Sequence, residues 1–208
     1  NLDQLAELEQ EHNRRVFNVL QLRLLPAVAK LRDQINAEGV TQRHDVELTY
    51  VTRRGAWYHT SWKGSEEKSG GVAMNIGIHF FDLLLWIFGG VESSQVHIKQ
   101  PGRMSGLLEL ERARVAWYLS VHQEDLPAAV KESGGYAHRS MSIDGGEVDL
   151  SGGFTELHTE VYRHILSGGG FGIEDARPSI KLVYDIRHCE EISLGDFAHP
   201  YASQLTGR

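Results

Sequence analysis

The sequence predicts an α+β fold: a mostly antiparallel sheet with helices packed on one face. Three observations carry this. From Val91 onward, short alternating stretches follow one another with turns rather than helices between them, which marks an antiparallel sheet. Met74–Phe88 is apolar almost throughout, so it reads as a helix buried on most sides. Stretches near both ends of the chain space their apolar residues at the helical period. A sheet with its helices on one face leaves the other face in need of cover.

The elements follow in order. Leu2, Leu5 and Leu8 recur among Asp, Glu and Gln, giving an exposed amphipathic helix to about His12 that Asn13-Arg14 ends. Val16–Leu22 reads as a short strand on its apolar Val16, Phe17, Val19 and Leu20. Pro26 suits the first turn of the next helix, with Val28, Leu31 and Ile35 on one face and Gly39 just past its end. Asp45–Thr52 alternates: Val46, Leu48, Tyr50 and Thr52 point one way, Glu47 and Thr49 the other, so it is a half-buried strand. Arg53-Arg54-Gly55 turns out of it into the loop Ala56–Gly64, which gathers Trp57, Tyr58, His59, Ser61, Trp62 and Lys63. Rings beside a cation suit recognition of a sugar or nucleotide; the plainer reading is that one of the two Trp closes the edge of the core. Ser65–Ser69 is expected to be a mobile surface loop.

Beyond the apolar helix, strands are expected at Val91–Ile98, Gly106–Leu110 and Arg114–His122, the last with Val115, Trp117, Leu119 and Val121 on one face. Pro127–Gly135 is a break. Arg139–Ile143 turns at Asp144-Gly145, a strong hairpin signal, and returns along Glu147–Leu150. Thr155–Leu166 is helical, with Leu157, Val161 and Ile165 on one face. His158 and Tyr162 beside them either line a cleft or, the favoured reading, rim the core. The glycines of Gly168–Gly172 end that helix. Asp175 is the expected N-cap of a last long helix from Ala176 to about Glu191, and Phe197–Tyr201 is a tail with no helical period.

Composition limits the function classes. The 208 residues suffice for one large or two small domains, and 41% hydrophobic with 24% charged residues is an ordinary globular balance. A net charge of −7 without a basic cluster argues against nucleic acid as a partner. The apolar stretch is too short and interrupted for a membrane span, and no membrane partner is expected. Cys189 is the single cysteine, so no intrachain disulfide forms, and a reducing, cytoplasmic setting is the simpler expectation. No Gly-x-Gly-x-x-Gly stands between a strand and a helix. With no initiating Met and no signal-peptide pattern, the chain is expected to be a piece of something longer.

The chemistry concentrates on the apolar helix. Asn75, His79 and Asp82 interrupt it at i, i+4 and i+7, which puts all three on one side of a regular helix. A polar stripe on a buried helix is costly unless it is hydrogen-bonded or works on a ligand. His79 suits proton transfer near neutrality; the plainer alternative is a set of hydrogen bonds within the core.

The run from Gly70 to Asp82, Gly-Gly-Val-Ala-Met-Asn-Ile-Gly-Ile-His-Phe-Phe-Asp, resembles the signature of the glucose-fructose oxidoreductase/inositol dehydrogenase family (Gfo/Idh/MocA). There a Gly pair leads into a helix carrying an acidic or amide residue, then Gly-x-His, then Asp. Phe154–Arg187 and Gln21-Leu22-Arg23-Leu24-Leu25-Pro26 are similar to the family as well. The resemblance implies that residues 1–24 are the tail end of a Rossmann domain absent from this chain, and that 25–208 are the C-terminal substrate-binding and oligomerisation domain. It implies NAD or NADP, bound mainly by that other domain, with no cofactor-binding residue here. It implies a homodimer or homotetramer through the open sheet face. His79 would be the base or proton relay; the Glu-Lys-Pro segment carrying the family's lysine is not in the chain. Asn75 would hydrogen-bond substrate or His79, and as an amide it cannot be a base. Arg23 would face the cleft and touch substrate, or else be a surface cation at a strand end. Asp82 would sit on the substrate side, bracing the helix or orienting His79. Tyr58, Ser61, Trp62 and Lys63 would lie near the pocket.

Within the family the chain is most similar to members that oxidise UDP-N-acetylglucosaminuronic acid to a 3-keto sugar for lipopolysaccharide assembly. The 208 residues alone are then expected to be inactive. Two other readings stand beside this one: a non-catalytic oligomerisation or sugar-binding module, and metal-assisted hydrolysis through His79, Asp82 and another His, for which spacing supplies at most two ligands.

Overall fold

The computed structural model describes residues 1–39, 41–149 and 156–207, apart from the side chain of His59. The predicted helix α1 spans Leu2–His12, and Asn13 ends it in the left-handed conformation at φ 48°. The expected strand Val16–Leu22 does not form. Asn18 makes a single bridge to Phe171, and Gln21–Leu24 tightens into a 3₁₀ turn. Among the described residues no neighbouring strand lies beside this segment to continue a ladder, and its backbone turns on itself. Helix α2 runs Pro26–Ala37 with Pro26 in its first turn and Val28 and Ile35 buried.

Strand β1 covers His44–Thr52, β2 Val91–Gln100, β3 Arg103–Leu110, β4 Ala113–Ser120, β5 Ala137–Ile143 and β6 Gly146–Glu147. They form one sheet in the order β2-β3-β4-β1-β5-β6. All neighbours are antiparallel except β1 and β4, which pair in parallel from His44 opposite Ala113 to Val51 opposite Ser120. The sheet is therefore mixed. β2, β3 and β4 pair in succession, as do β5 and β6, through tight turns, but β1 is separated from β4 by the helices and two strands between them, and only packing brings them together. At the β5–β6 turn Asp144 and Gly145 take φ of 50° and 79°. The Asp144 carboxylate fixes the turn by accepting from the Asp45 amide at 2.9 Å and meeting His44 Nδ1 at 2.8 Å. The return is shorter than expected, and Leu150 lies outside the described residues.

Short helices α3 (Ala56–Thr60) and α4 (Glu66–Ser69) occupy segments expected to be loops. Ser65 caps α4, its hydroxyl accepting from the Lys68 amide. Gly70 and Gly71 turn the chain at φ 81° and 67°, values that favour glycine. Ala73–Gly77 is then π-helical, and helix α5 follows over Ile78–Phe88. The whole stretch Glu66–Phe88, 23 residues, is longer than Met74–Phe88 and is long and apolar enough to cross a membrane. Its most apolar window is 61% buried within the fold, as befits a core helix. Gly77 allows this burial: a Cβ there would fall 2.8 Å from both Leu119 and Phe81, so only glycine lets the helix settle onto β4. Phe81 then meets Trp117 edge-on at 5.2 Å, a geometry worth about 0.5–1.5 kcal/mol beyond burial.

Helix α6 (Ala128–Glu132) falls within the expected break. Helix α7 spans Leu157–Leu166, with Leu157 and Val161 buried; the expected start at Thr155 lies outside the described residues. Helix α8 spans Ile173–His188 and packs with α2 against α5. It begins before Ala176, so Asp175 is not its N-cap. Asp175 sits two residues into the helix and accepts from the Gly172 amide at 2.7 Å, reaching back over the first turn.

The second sheet face is not left open throughout. Helix α9, Pro200–Thr206, lies on it, and Tyr201 and Leu205 close over Val51, Tyr118 and Leu126. The sequence reading missed this helix: at 7 residues it is about two turns long, too short to display a period. His199, with no exposed surface, anchors it. Its Nδ1 accepts from the Tyr201 amide at 3.2 Å, so the proton sits on Nε2, which donates to Thr49 Oγ1 at 2.9 Å. Burial holds the His199 pKa down to about 3, so Glu47, 3.9 Å away, faces a neutral ring. Unfolding releases this histidine to its ordinary value near 6.5. The unfolded chain thus binds a proton that the folded chain refuses, and stability falls as pH drops below about 6.5, by roughly 1.4 kcal/mol per pH unit. Urea titrations at pH 7 and pH 5 should therefore show a smaller acid loss in His199→Asn than in the parent chain; equal losses would place the acid sensitivity elsewhere.

Candidate functional site

The π-helical turn breaks the expected alignment of Asn75, His79 and Asp82. Widening one turn of the helix offsets residues on either side of it, and the three side chains find separate partners. The Asn75 Nδ2 group lies 3.0 Å from Lys63 O, 2.7 Å from Ser69 Oγ and 3.0 Å from Gly71 O. It ties the Trp62–Gly64 turn to the helix and does not reach His79. Tyr58, buried, belongs to the same knot. Burial pushes its hydroxyl pKa up, against the Arg54 charge and a hydrogen bond with Asn75, which pull it down.

Asp82 is bound to Arg23. Arg23 Nε donates to Oδ2 at 2.9 Å and Nη2 to Oδ1 at 2.7 Å, a two-pronged contact between a residue 9% exposed and one 2% exposed. Nη2 also donates to Asp175 O at 2.9 Å, and the guanidinium lies 5.2 Å from the Phe171 ring. Arg23 is therefore a buried cation joining the 3₁₀ turn, α5 and the start of α8, not a surface charge at a strand end. Both Asp82 oxygens accept from Arg23, and among the described residues the hydrogen-bond partner of His79 is Gln21 rather than Asp82.

His79 remains half-buried, its Nδ1 3.5 Å from Gln21 Nε2. Burial lowers its pKa; the Asp82 charge opposes the shift and His158 adds to it. The ring is therefore neutral at neutral pH and able to accept a proton. His158 and Tyr162 are exposed on α7, and His158 is near enough for its charge to be felt at His79. A cavity of about 260 Å³ opens beside His79, lined by Asp82, Met74 and Ile78 from the central helix, by Asn18–Leu22, and by Ala176, Ser179 and Ile180. Its lining is mostly apolar, with Asn18, Gln21, His79, Asp82 and Ser179 as the polar residues.

The aromatic turn stands apart from the core. Trp57 and Trp62 are 53% and 59% exposed, so neither closes the core edge; Tyr58 does. The Lys63 ammonium lies 5.9 Å from the Trp57 ring and 5.8 Å from the Trp62 ring, within the range of cation–π attraction. Among the described residues no group of three His, Cys, Asp or Glu side chains is placed to hold a metal ion. Nor do those residues form a glycine-rich strand-turn-helix that could cradle a dinucleotide. Sequence reasoning missed Gln21: a neutral amide on a presumed strand gives no signal until the turn at Gln21–Leu24 swings it against His79.

Residues 42–131 match a sequence model described as the oxidoreductase family, C-terminal alpha/beta domain. The WlbA (WbpB) dehydrogenase of Thermus thermophilus, solved with NAD and alpha-ketoglutarate, is 45% identical over 96% of this chain, with a TM-score of 0.90. Its complex with NAD and UDP-GlcNAcA gives 44% identity over 96% of the chain and a TM-score of 0.89. The chain spans 64% of the length of the Thermus protein. The WlbA dehydrogenase of Bordetella pertussis, solved with NADH and UDP-GlcNAcA, is 19% identical over 93% of this chain and 67% of that one, with a TM-score of 0.68, and shares the fold.

Proposed function

The chain carries the C-terminal α/β domain of the Gfo/Idh/MocA oxidoreductase family, and on that premise we propose that it forms the substrate side of an NAD-dependent nucleotide-sugar dehydrogenase. The substrate in this reading is UDP-N-acetylglucosaminuronic acid, oxidised at a ring hydroxyl to the 3-keto sugar in a cytoplasmic step of lipopolysaccharide sugar assembly. The observation that carries it is the neutral His79 ring at the wall of a mostly apolar cavity, in a chain 44% identical to a dehydrogenase solved with that sugar nucleotide.

NAD supplies the hydride acceptor when bound, and in this reading a separate domain holds it. This chain handles the proton. His79 accepts it from the hydroxyl, because burial keeps the imidazole neutral at working pH. The apolar cavity lining keeps water away from the reacting alcohol. The Arg23–Asp82 pair fixes the helix that carries His79 and leaves no charge of its own free to bind substrate. Tyr58 and Asn75 hold the Trp62–Gly64 turn against that helix, and Trp62 and Lys63 present a ring and a cation to the nucleotide end of the ligand.

The direct test is to supply the complete enzyme with NAD and UDP-N-acetylglucosaminuronic acid and follow NADH by absorbance. NADH should accumulate with a 3-keto product detected by mass spectrometry. Absence of both, with a fully folded protein, overturns the reading.

A further inference from the structure

One polar group beside His79 is left over. Among the described residues Gln21 Oε1 is buried and meets no donor, while the other end of the same amide, Nε2, stands 3.5 Å from His79 Nδ1. A buried acceptor without a donor is costly. The two ends of an amide have the same shape, and a half-turn exchanges them. Turned, Oε1 faces Nδ1 and accepts its proton, and Nε2 takes the place that Oε1 held; the choice between the two orientations therefore rests on what the ring requires.

The orientation decides which ring nitrogen is basic. With Nε2–H of Gln21 toward the ring, Nδ1 must offer its lone pair and the imidazole proton sits on its own Nε2. That nitrogen cannot then take a proton from an alcohol. With Oε1 toward the ring, the proton sits on Nδ1 and the ring Nε2 is free to act as base. The cation formed by proton transfer strengthens the case: it bears an Nδ1–H that needs an acceptor, which Oε1 provides and an amino group would repel.

Among the described residues the charged groups felt at His79 are Asp82 and His158, and neither makes this choice. Asp82, on the same helix, has both oxygens bound by Arg23, and His158, on α7, acts on His79 only through its charge. We infer that Gln21 is a positioning residue whose amide oxygen holds His79 in the Nδ1–H tautomer, leaving Nε2 to receive the alcohol proton. This rests on the proposed role of His79 as base.

The test reads the ring itself. In the ¹⁵N-labelled chain, held above the His79 pKa, long-range ¹H–¹⁵N spectra distinguish the two tautomers. Nδ1–H is expected in the parent. Gln21→Met, of equal length but without an amide, should move the population toward Nε2–H. Gln21→Glu should restore Nδ1–H and raise the His79 pKa. In the complete enzyme Gln21→Met should lower turnover at least roughly tenfold, with part recovered in Gln21→Glu, because a wrong tautomer disables the base. An Nε2–H ring in the parent, or an unchanged tautomer in a folded Gln21→Met chain, overturns the assignment even if His79 proves essential. Conversely, full turnover in His79→Ala overturns the enzyme reading and leaves the tautomer result intact.

Discussion

Replacing His79 with alanine in the complete enzyme is expected to cut turnover by roughly 10²–10⁴-fold, the usual contribution of a positioned general base. The fold should survive. His79 is half-buried, and among the described residues its hydrogen-bond partner is Gln21 at 3.5 Å. The core of the helix rests instead on Phe80, Phe81, Leu83, Leu84, Ile87 and Phe88. Circular dichroism and a urea midpoint close to the parent's would establish that the loss is chemical. The pH profile carries a second signature. Only the neutral ring can accept a proton, so kcat/KM should decline on the acid side as the ring protonates. Burial puts that limb below the ordinary histidine value near 6.5. Asp82 opposes the depression, so Asp82→Asn should move the limb further toward acid. Turnover unchanged in His79→Ala would remove this residue from the chemistry.

Much of the frame of this site was legible from residue spacing. Leu2, Leu5 and Leu8 with Asn13 marked α1 to the residue, and Asp144-Gly145 marked the hairpin, because both signals are local. The Gly-x-His pattern was legible as a motif, but its reason emerges only in three dimensions: Gly77 lets the helix touch Leu119 and Phe81, and so sets where His79 stands. What spacing missed was non-local. Asn75, His79 and Asp82 share a face only on a regular helix, and a π-helical turn leaves no mark in the apolar pattern. Arg23 and Asp82 lie 59 positions apart. The parallel pairing of β1 with β4, and the docking of α9 on the second sheet face, likewise depend on packing between distant segments. The strand expected at Val16–Leu22 failed for the converse reason. Apolar β-formers define a strand only where a neighbour offers a ladder, and here the neighbour offers one bridge.

The largest expected stability effect belongs to the Arg23–Asp82 pair. Its members are 9% and 2% exposed, and their two hydrogen bonds measure 2.9 and 2.7 Å. Removing one partner leaves a buried charge without its counter-ion, which typically costs about 3–5 kcal/mol. Arg23→Met should therefore destabilise the chain by about that much, and Asp82→Leu by less, because Arg23 keeps Asp175 Oδ1 at 3.5 Å. Arg23→Met is the more informative of the two, because methionine keeps an unbranched apolar stem beside Phe171 and Trp86 while discarding the charge. Combining Arg23→Met with Asp82→Leu should recover most of the loss, since neither charge is then stranded. A denaturant double-mutant cycle measures this. Strong positive coupling is expected; simple additivity would mean that the two residues act on stability independently. The argument reaches function through one further step. The pair clamps the turn that carries Gln21 to the helix that carries His79, so the double variant can be well folded and still slow. Its turnover should remain below the parent's even where its urea midpoint has returned, because an apolar contact restores packing energy without restoring the angle between those two segments.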